Sequence, residues 1–283
     1  MIKLCAFSDE ASDSVEGQIT ALSRNNIKLT ELRSIDGVNV KDFSDEQARG
    51  YARKLAENGV KVWSIGSPLG KIDIAENFSE YEKTVRRVYE IANIFECDKV
   101  RVFSFYNAYG ESEKVFENLR RMVKIAGEYG ITLYHENEKG VYGDVVGRVE
   151  NIAANVSGLK FVFDPANYVQ EGEDVTAALK KVGKQTAYFH IKDAIKGSGE
   201  IVPAGEGDGE IEKLISLVTG DKVFTLEPHL SLFTAYAAID DTELKNRYHF
   251  ATNDESFDFA VNALKNLLKK QGYKETADGF VKE

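Results

Sequence analysis

The sequence predicts an α/β chain folded as a single (β/α)8 TIM barrel, and three features carry that expectation. Short apolar runs of strand character alternate with stretches of helical periodicity along the whole chain, eight times over. The last four runs each finish on a residue able to bind a metal: Glu136, Asp164, His190 and Glu227. The four prolines, Pro68, Pro165, Pro203 and Pro228, all lie just past a strand-like run, so helix interiors stay unbroken and the rim where barrel enzymes keep their sites is stiffened. No Gly-x-Gly-x-x-Gly follows the first run, which counts against an open dinucleotide-binding sheet.

Residues 2–7 read as the first strand, with Ser8-Asp9-Glu10 as a polar exit and Ser12 or Ser14 as the cap of a helix to about residue 24. Residues 27–32 are the second, ending in Arg33. Asp36-Gly37 marks a turn, and Ser44 with Gln47 makes a capping box for a helix that Asn58-Gly59 stops. The third strand, 60–65, leads into a loop carrying Lys71. Tyr81, Val85, Val88, Ile91, Ala92 and Phe95 then keep the three-to-four spacing of a helix with one buried stripe. The fourth strand is 99–103, and the helix after it is striped by Val115, Phe116, Leu119, Met122, Val123 and Ala126 up to Gly130.

Ile131, Leu133 and Tyr134 form the fifth strand, which opens into His135, Glu136 and Asn137. A helix over 144–155, a strand over 159–163, a helix over 175–182 and a strand over 186–191 follow. A shorter helix over 208–218, the eighth strand over 222–226 and a long helix striped by Phe257, Ala260, Val261, Leu264, Leu267 and Leu268 complete the pattern. The segment 229–253, with Tyr236, Tyr248 and Phe250, reads as a lid or as the contact of a homo-oligomer.

A chain of 283 residues suits one such domain, 1–283. With 43% hydrophobic and 29% charged residues it has the composition of an ordinary globular protein. A net charge of −10 disfavours a nucleic-acid partner, which needs clustered Lys and Arg to displace counterions. Two cysteines, Cys5 and Cys97, both in apolar context, fit core residues of a reducing compartment better than a disulfide framework. The N-terminal apolar run is too short for a signal peptide, and no stretch approaches the roughly 20 apolar residues of a membrane helix. The expectation is a soluble, cytoplasmic protein.

In a barrel, Glu136, Asp164, His190 and Glu227 come from the fifth to eighth strands and stand side by side on one rim. Three carboxylates held that close raise one another's pKa unless a cation sits among them. One imidazole with three carboxylates is a hard, oxygen-rich set that favours Mn²⁺, Mg²⁺ or Co²⁺ and admits Zn²⁺. Any one of these acids alone would more simply be a helix cap or a surface charge.

The pieces HEN (135–137), DPAN (164–167), HIKD (190–193) and LEP (226–228), with SDEAS (8–12) and GEGDGEI (205–211), together resemble the xylose isomerase-like TIM-barrel superfamily of sugar isomerases and epimerases. The likeness spans nearly the whole chain. It implies one divalent metal held by Glu136, Asp164, His190 and Glu227, and a sugar, keto-sugar or sugar phosphate that loses a proton beside its carbonyl to give a metal-stabilised enediolate. It also implies that Glu136 and Glu227 act as base and acid. Asn167 stands where ketose 3-epimerases of this group carry His, and Lys196 where they carry Arg; both positions contact substrate there, which counts against free ketohexose epimerisation. Lys192 would share a face with His190 and hold a substrate oxygen, or else be an exposed rim lysine. Arg33 and Lys71 would bind an anionic group, or be solvated charges. Glu31 would orient Arg33 or contact sugar hydroxyls, His229 would support Glu227, and His135 and His249 would be structural.

Four other readings stay open. A metal-dependent dehydratase of an inosose or dehydroshikimate type uses much the same machinery. A glycosidase would use Glu136 and Glu227 as its carboxylate pair. A DNA-repair endonuclease of the same superfamily needs a His-rich multinuclear zinc site, which four histidines serve poorly. The last is a non-catalytic carbohydrate-binding barrel.

Overall fold

The computed structural model describes residues 1–234, 245 and 247–282. Eight parallel strands close on themselves: β1 (Ile2–Ala6), β2 (Leu29–Leu32), β3 (Lys61–Ile65), β4 (Lys99–Val102), β5 (Thr132–Glu136), β6 (Lys160–Phe163), β7 (Thr186–Ile191) and β8 (Lys222–Leu226). Each pairs with its sequence neighbour, and β1 pairs with β8 from Ile2↔Lys222 to Ala6↔Leu226. The fold is therefore a (β/α)8 barrel. Helices α1 (Val15–Arg24), α2 (Asp45–Glu57), α3 (Phe78–Ile94), α4 (Ser112–Glu128), α5 (Val146–Asn155), α6 (Pro165–Gln170), α7 (Val175–Val182), α8 (Ile211–Leu217) and α9 (Asn253–Lys270) lie between and after the strands.

Local chemistry accounts for the helix starts. Ser14, not Ser12, caps α1 by accepting the Gly17 N–H at 3.1 Å. Ser44 and Gln47 exchange both bonds of the capping box at the start of α2. Asp36-Gly37 turns a two-residue ribbon in which Ser34–Ile35 pairs with Val38–Asn39. The helix expected from residue 208 starts at Ile211 instead, because the glycines before it are held as a loop.

Two elements depart from the sequence pattern. A six-residue helix, α6, follows β6 directly, with Pro165 in its first turn, where a missing N–H costs nothing. After α9, β9 (Tyr273–Thr276) and β10 (Gly279–Lys282) form a hairpin whose Phe280 pairs antiparallel with Ile2. Gly279 sits at φ +140°, and a Cβ there would lie 2.6 Å from the Ile2 carbonyl oxygen, so only glycine lets this hairpin approach β1.

Most buried apolar side chains lie between the strands and the helices. A second, smaller cluster of Cys5, Val162, Tyr188 and Val223 fills the lower barrel with Trp63 and Tyr134 against it. Tyr188 of β7 meets Trp63 of β3 edge-on at 6.3 Å; strands that are not neighbours touch only across the interior, so these side chains point inward. Both cysteines are free and buried. Burial holds the Cys5 thiol well above its ordinary pKa and pushes the Cys97 thiol up to about 12. At pH 8 neither should react with an aromatic disulfide reagent until the protein is unfolded, and rapid stoichiometric labelling of the native protein would contradict the buried placement.

Candidate functional site

Alternation along the strands decides what enters the barrel. Because Tyr188 points inward, so do His190 and Lys192 two and four residues on; Val162 brings Asp164, Tyr134 brings Glu136, and Val223 brings Thr225 and Glu227. Thus the residues at the carboxyl ends of β5 to β8 converge above an apolar floor. One ligand atom from each of Glu136, Asp164, His190 and Glu227 lies within 4.8 Å of the others, and all four residues are buried.

His190 Nδ1 lies 2.9 Å from Glu136 Oε1 and 3.3 Å from Glu227 Oε2. Burial disfavours its charged form, but Glu136 and Glu31 outweigh this and hold its pKa well above the ordinary value. Burial likewise opposes the Glu136 anion, yet His190 and Arg101 bring its pKa down to about 2. Asp164 goes the other way: burial lifts it to about 7 against the pull of Lys192. One Asp164 oxygen, Oδ1, accepts the Asn167 N–H at 3.0 Å and so caps α6. Cap and candidate ligand are therefore the same carboxylate, with Oδ2 left facing the cluster.

Lys192 Nζ sits 3.1 Å from Asp164 Oδ2 and 3.8 Å from Glu227 Oε2, buried and not an exposed rim lysine. Asn137 fixes the Asp164 backbone, accepting its N–H and donating to its carbonyl, both at 2.8 Å. Asn167 donates to the Asn137 carbonyl at 2.9 Å and keeps its Oδ1 buried without a hydrogen bond.

Arg33 is not a solvated charge. It is 2% exposed, donates to both Asp9 oxygens at 2.9 and 3.0 Å, to Glu10 Oε1 at 3.2 Å and to Glu227 Oε1 at 3.0 Å, with Phe7 and Phe233 over its faces. Its five donors are set in a rigid planar fork that holds three carboxylates in fixed directions, which the rotatable donors of an ammonium do not. Lys71 is similarly turned inward, 3.1 Å from Glu138 Oε2 and above the Phe103 ring. Sequence reasoning missed Arg101, whose Nη1 donates to Glu136 Oε2 at 2.7 Å. The signal was there, since a charged residue inside the short strand KVRV has to point either into the barrel or into the helix layer. Glu31 also differs from expectation: it turns beneath the cluster, toward His190, Tyr188 and Thr225, and does not orient Arg33.

Asp193 was also overlooked. Its carboxylate accepts backbone N–H groups from Ala194, Gly205, Gly207 and Gly209 at 2.8 to 3.1 Å, which ties the glycine-rich loop to the strand end bearing Lys192. A Cβ on Gly207 or Gly209 would run into that carboxylate. His229 joins the site, its Nε2 3.5 Å from Glu227 Oε1, as expected for a residue supporting Glu227. His135 lies on the other face of β5 against Phe161, where burial lowers its pKa to about 4, and His249 is exposed. Tyr236 falls outside the described residues; Tyr248 and Phe250 stack on each other and pack on Phe259 of α9.

The donor set suits a hard divalent cation. Asp164 Oδ2 and Glu227 Oε2 are buried without an aligned hydrogen bond, with the Lys192 and His190 nitrogens near them, so oxygens from two strands keep lone pairs for a further partner there. A sequence model described as "Xylose isomerase-like TIM barrel" matches residues 22–242. The chain belongs to that family. No curated protein matches it in sequence.

Xylose isomerase-like barrels recur among solved structures of similar shape. The probable 3-DHS dehydratase AsbF from Bacillus anthracis is 16% identical with a TM-score of 0.71, over 94% of this chain and 99% of that one. The IOLI protein with a bound zinc atom is 15% identical with a TM-score of 0.71, over 95% and 98%. A D-psicose 3-epimerase in the presence of D-fructose is 15% identical with a TM-score of 0.67, over 93% and 97%. At these identities the likeness is one of fold. No described helix of this chain is long and apolar enough to cross a membrane.

Proposed function

We propose that this protein is a divalent-metal-dependent isomerase or epimerase of a sugar, keto-sugar or sugar phosphate, acting by proton removal beside a carbonyl. The observation that carries this reading is the convergence of Glu136, Asp164, His190 and Glu227 at one end of the barrel, with ligand atoms no more than 4.8 Å apart. These four residues would hold the ion, with Mn²⁺, Mg²⁺ or Co²⁺ favoured by the oxygen-rich set and Zn²⁺ compatible. When bound, such an ion supplies Lewis acidity to the substrate's carbonyl oxygen.

The chain's own residues supply the rest. Glu136 ends β5 and Glu227 follows β8, so in this reading one takes the proton from the carbon beside the carbonyl and the other returns a proton to the opposite face. Arg101 and Arg33 hold their outer oxygens and so fix the angle of each carboxylate. Lys192 Nζ, beside Asp164 and Glu227, donates to a substrate oxygen, and the open Asn167 Oδ1 accepts a sugar hydroxyl. With Asp9, Glu10 and Glu227 around it, Arg33 serves the glutamate and not a substrate anion. Leu230 and Phe233, both buried just past β8, help exclude water from the reacting centre.

The test is an exchange screen over ketoses and their phosphates in deuterated water. We expect deuterium at the carbon beside the carbonyl for at least one substrate, loss of that exchange on chelation, and its return with Mn²⁺. Full exchange in excess chelator contradicts metal dependence; a glycosidase-type carboxylate pair would instead give hydrolysis untouched by chelator and no such exchange. The likeness to a probable 3-DHS dehydratase motivates a second reading, and there the product would have lost water. Sugar binding without any exchange or turnover would support the non-catalytic reading.

A further inference from the structure

Glu31 is an unexpected group to find where it lies. It projects from β2 into the barrel between the apolar floor and the metal-binding cluster, and it is 1% exposed. Burying a carboxylate costs several kcal/mol unless donors surround it. Its hydrogen-bond partners are two hydroxyls and an imidazole: Tyr188 donates to Oε1 at 2.8 Å, Thr225 to Oε2 at 3.1 Å, and His190 Nε2 lies 3.2 Å from Oε2. All three partners come from β7 and β8, neither of which adjoins β2.

The two nitrogens of His190 therefore face different things. Nδ1 faces Glu136 and Glu227, both members of the convergent cluster; Nε2 faces Glu31, which is not a member. A neutral imidazole offers a cation one lone pair, and the other nitrogen carries the proton. Phe7 meets the ring edge-on at 5.2 Å and Tyr188 packs on it at 5.6 Å, so the ring is wedged in this orientation.

We propose that Glu31 is a positioning residue: by accepting the Nε2–H of His190 it fixes the tautomer that presents Nδ1 to the metal. This rests on the metal-dependent reading above. A carboxylate behind a ligating imidazole orients the ring and makes its free nitrogen a stronger donor, and loss of such a partner commonly weakens metal binding by about 10–100-fold. The same carboxylate also ties β2 to β7 and β8, so the test separates positioning from simple bracing.

Two near-isosteric variants do this, Glu31→Gln and Tyr188→Phe. The first removes the charge behind Nε2; the second removes only a hydroxyl from the other oxygen of Glu31. Mn²⁺ affinity is measured by calorimetry, the unfolding midpoint in chelator, and the protonation of both His190 nitrogens by ¹⁵N NMR with Zn²⁺ bound. We expect Mn²⁺ binding about 10–100-fold weaker in Glu31→Gln, within about threefold of wild type in Tyr188→Phe, and a wild-type spectrum with hydrogen on Nε2 and metal on Nδ1. Wild-type affinity within twofold in Glu31→Gln, equal losses in both variants, or metal on Nε2 overturns the proposal. A wild-type protein that binds neither ion overturns the functional reading itself, and this proposal with it.

Discussion

Replacing Glu227 with glutamine should abolish exchange of the substrate's α-proton, a loss of about 10²–10⁴-fold or more, while the barrel stays folded. Glu227 Oε1 is held by Arg33, and its Oε2 lies 3.3 Å from His190 Nδ1 and 3.8 Å from Lys192 without an aligned hydrogen bond. Only as a carboxylate can Glu227 take up a proton. Glutamine keeps the shape and an oxygen for Arg33 but puts a neutral amide where the proton has to go. Asp9 and Glu10 still neutralise Arg33 in the variant, so stability should change little. The check is proton NMR of the substrate in deuterated water at saturating Mn²⁺; wild-type exchange in the variant removes Glu227 from the mechanism.

Arg33→Met should destabilise the metal-free protein by about 3–5 kcal/mol, read from urea unfolding with chelator present. The guanidinium lies between Asp9, Glu10 and Glu227, each no more than 3% exposed at the side chain. Removing it leaves three buried carboxylates around an apolar side chain. Even with Arg33 beside it, burial pushes Glu10 up to about 8, which shows how little solvent is available to share the load. Added divalent ion should recover part of the loss, because a cation among the carboxylates substitutes for the missing charge. A change below about 1 kcal/mol would mean that the acids escape to water or take up protons freely, and that Arg33 is a bystander.

How much of this was legible in the sequence follows from the physics of each residue. The strands could be read because β-branched and aromatic runs bounded by Gly, Asn and Asp have few other solutions, and every barrel strand falls within a few residues of its expected place. Glu136, Asp164, His190 and Glu227 could be read because each ends its strand, so closing the barrel was enough to bring them together. The arginines and Glu31 could not be placed the same way. Pattern reading treats a charge as solvent-facing, but Leu29, Glu31 and Arg33 share one parity on β2, and a barrel turns all three inward, where partners from β7 and β8 await them. Those partners are nearly 200 residues away in sequence for Glu227 and Thr225 alike.

Short elements were illegible for a different reason. Helix α6 is six residues hidden in DPANYVQ, and its cap is also a candidate metal ligand, so the local signal was read for its chemistry alone. The β9–β10 hairpin offers only one buried aromatic per strand, Tyr273 and Phe280, among exposed and half-buried residues, a pattern too short to read before its pairing with Ile2 is seen. The glycines of 205–209 read as a family-like motif, but their physical role needs Asp193 in view: backbone N–H groups with no side chains in the way, closing on one carboxylate.

The proposed chemistry needs a single divalent ion gathered by the ends of four neighbouring strands. Anomalous diffraction from crystals grown with Mn²⁺ tests it most directly. We expect one strong peak among Glu136, Asp164, His190 and Glu227, with His190 Nδ1 as the nitrogen nearest to it. A cluster without a peak at saturating Mn²⁺, or a peak only elsewhere on the molecule, would contradict it.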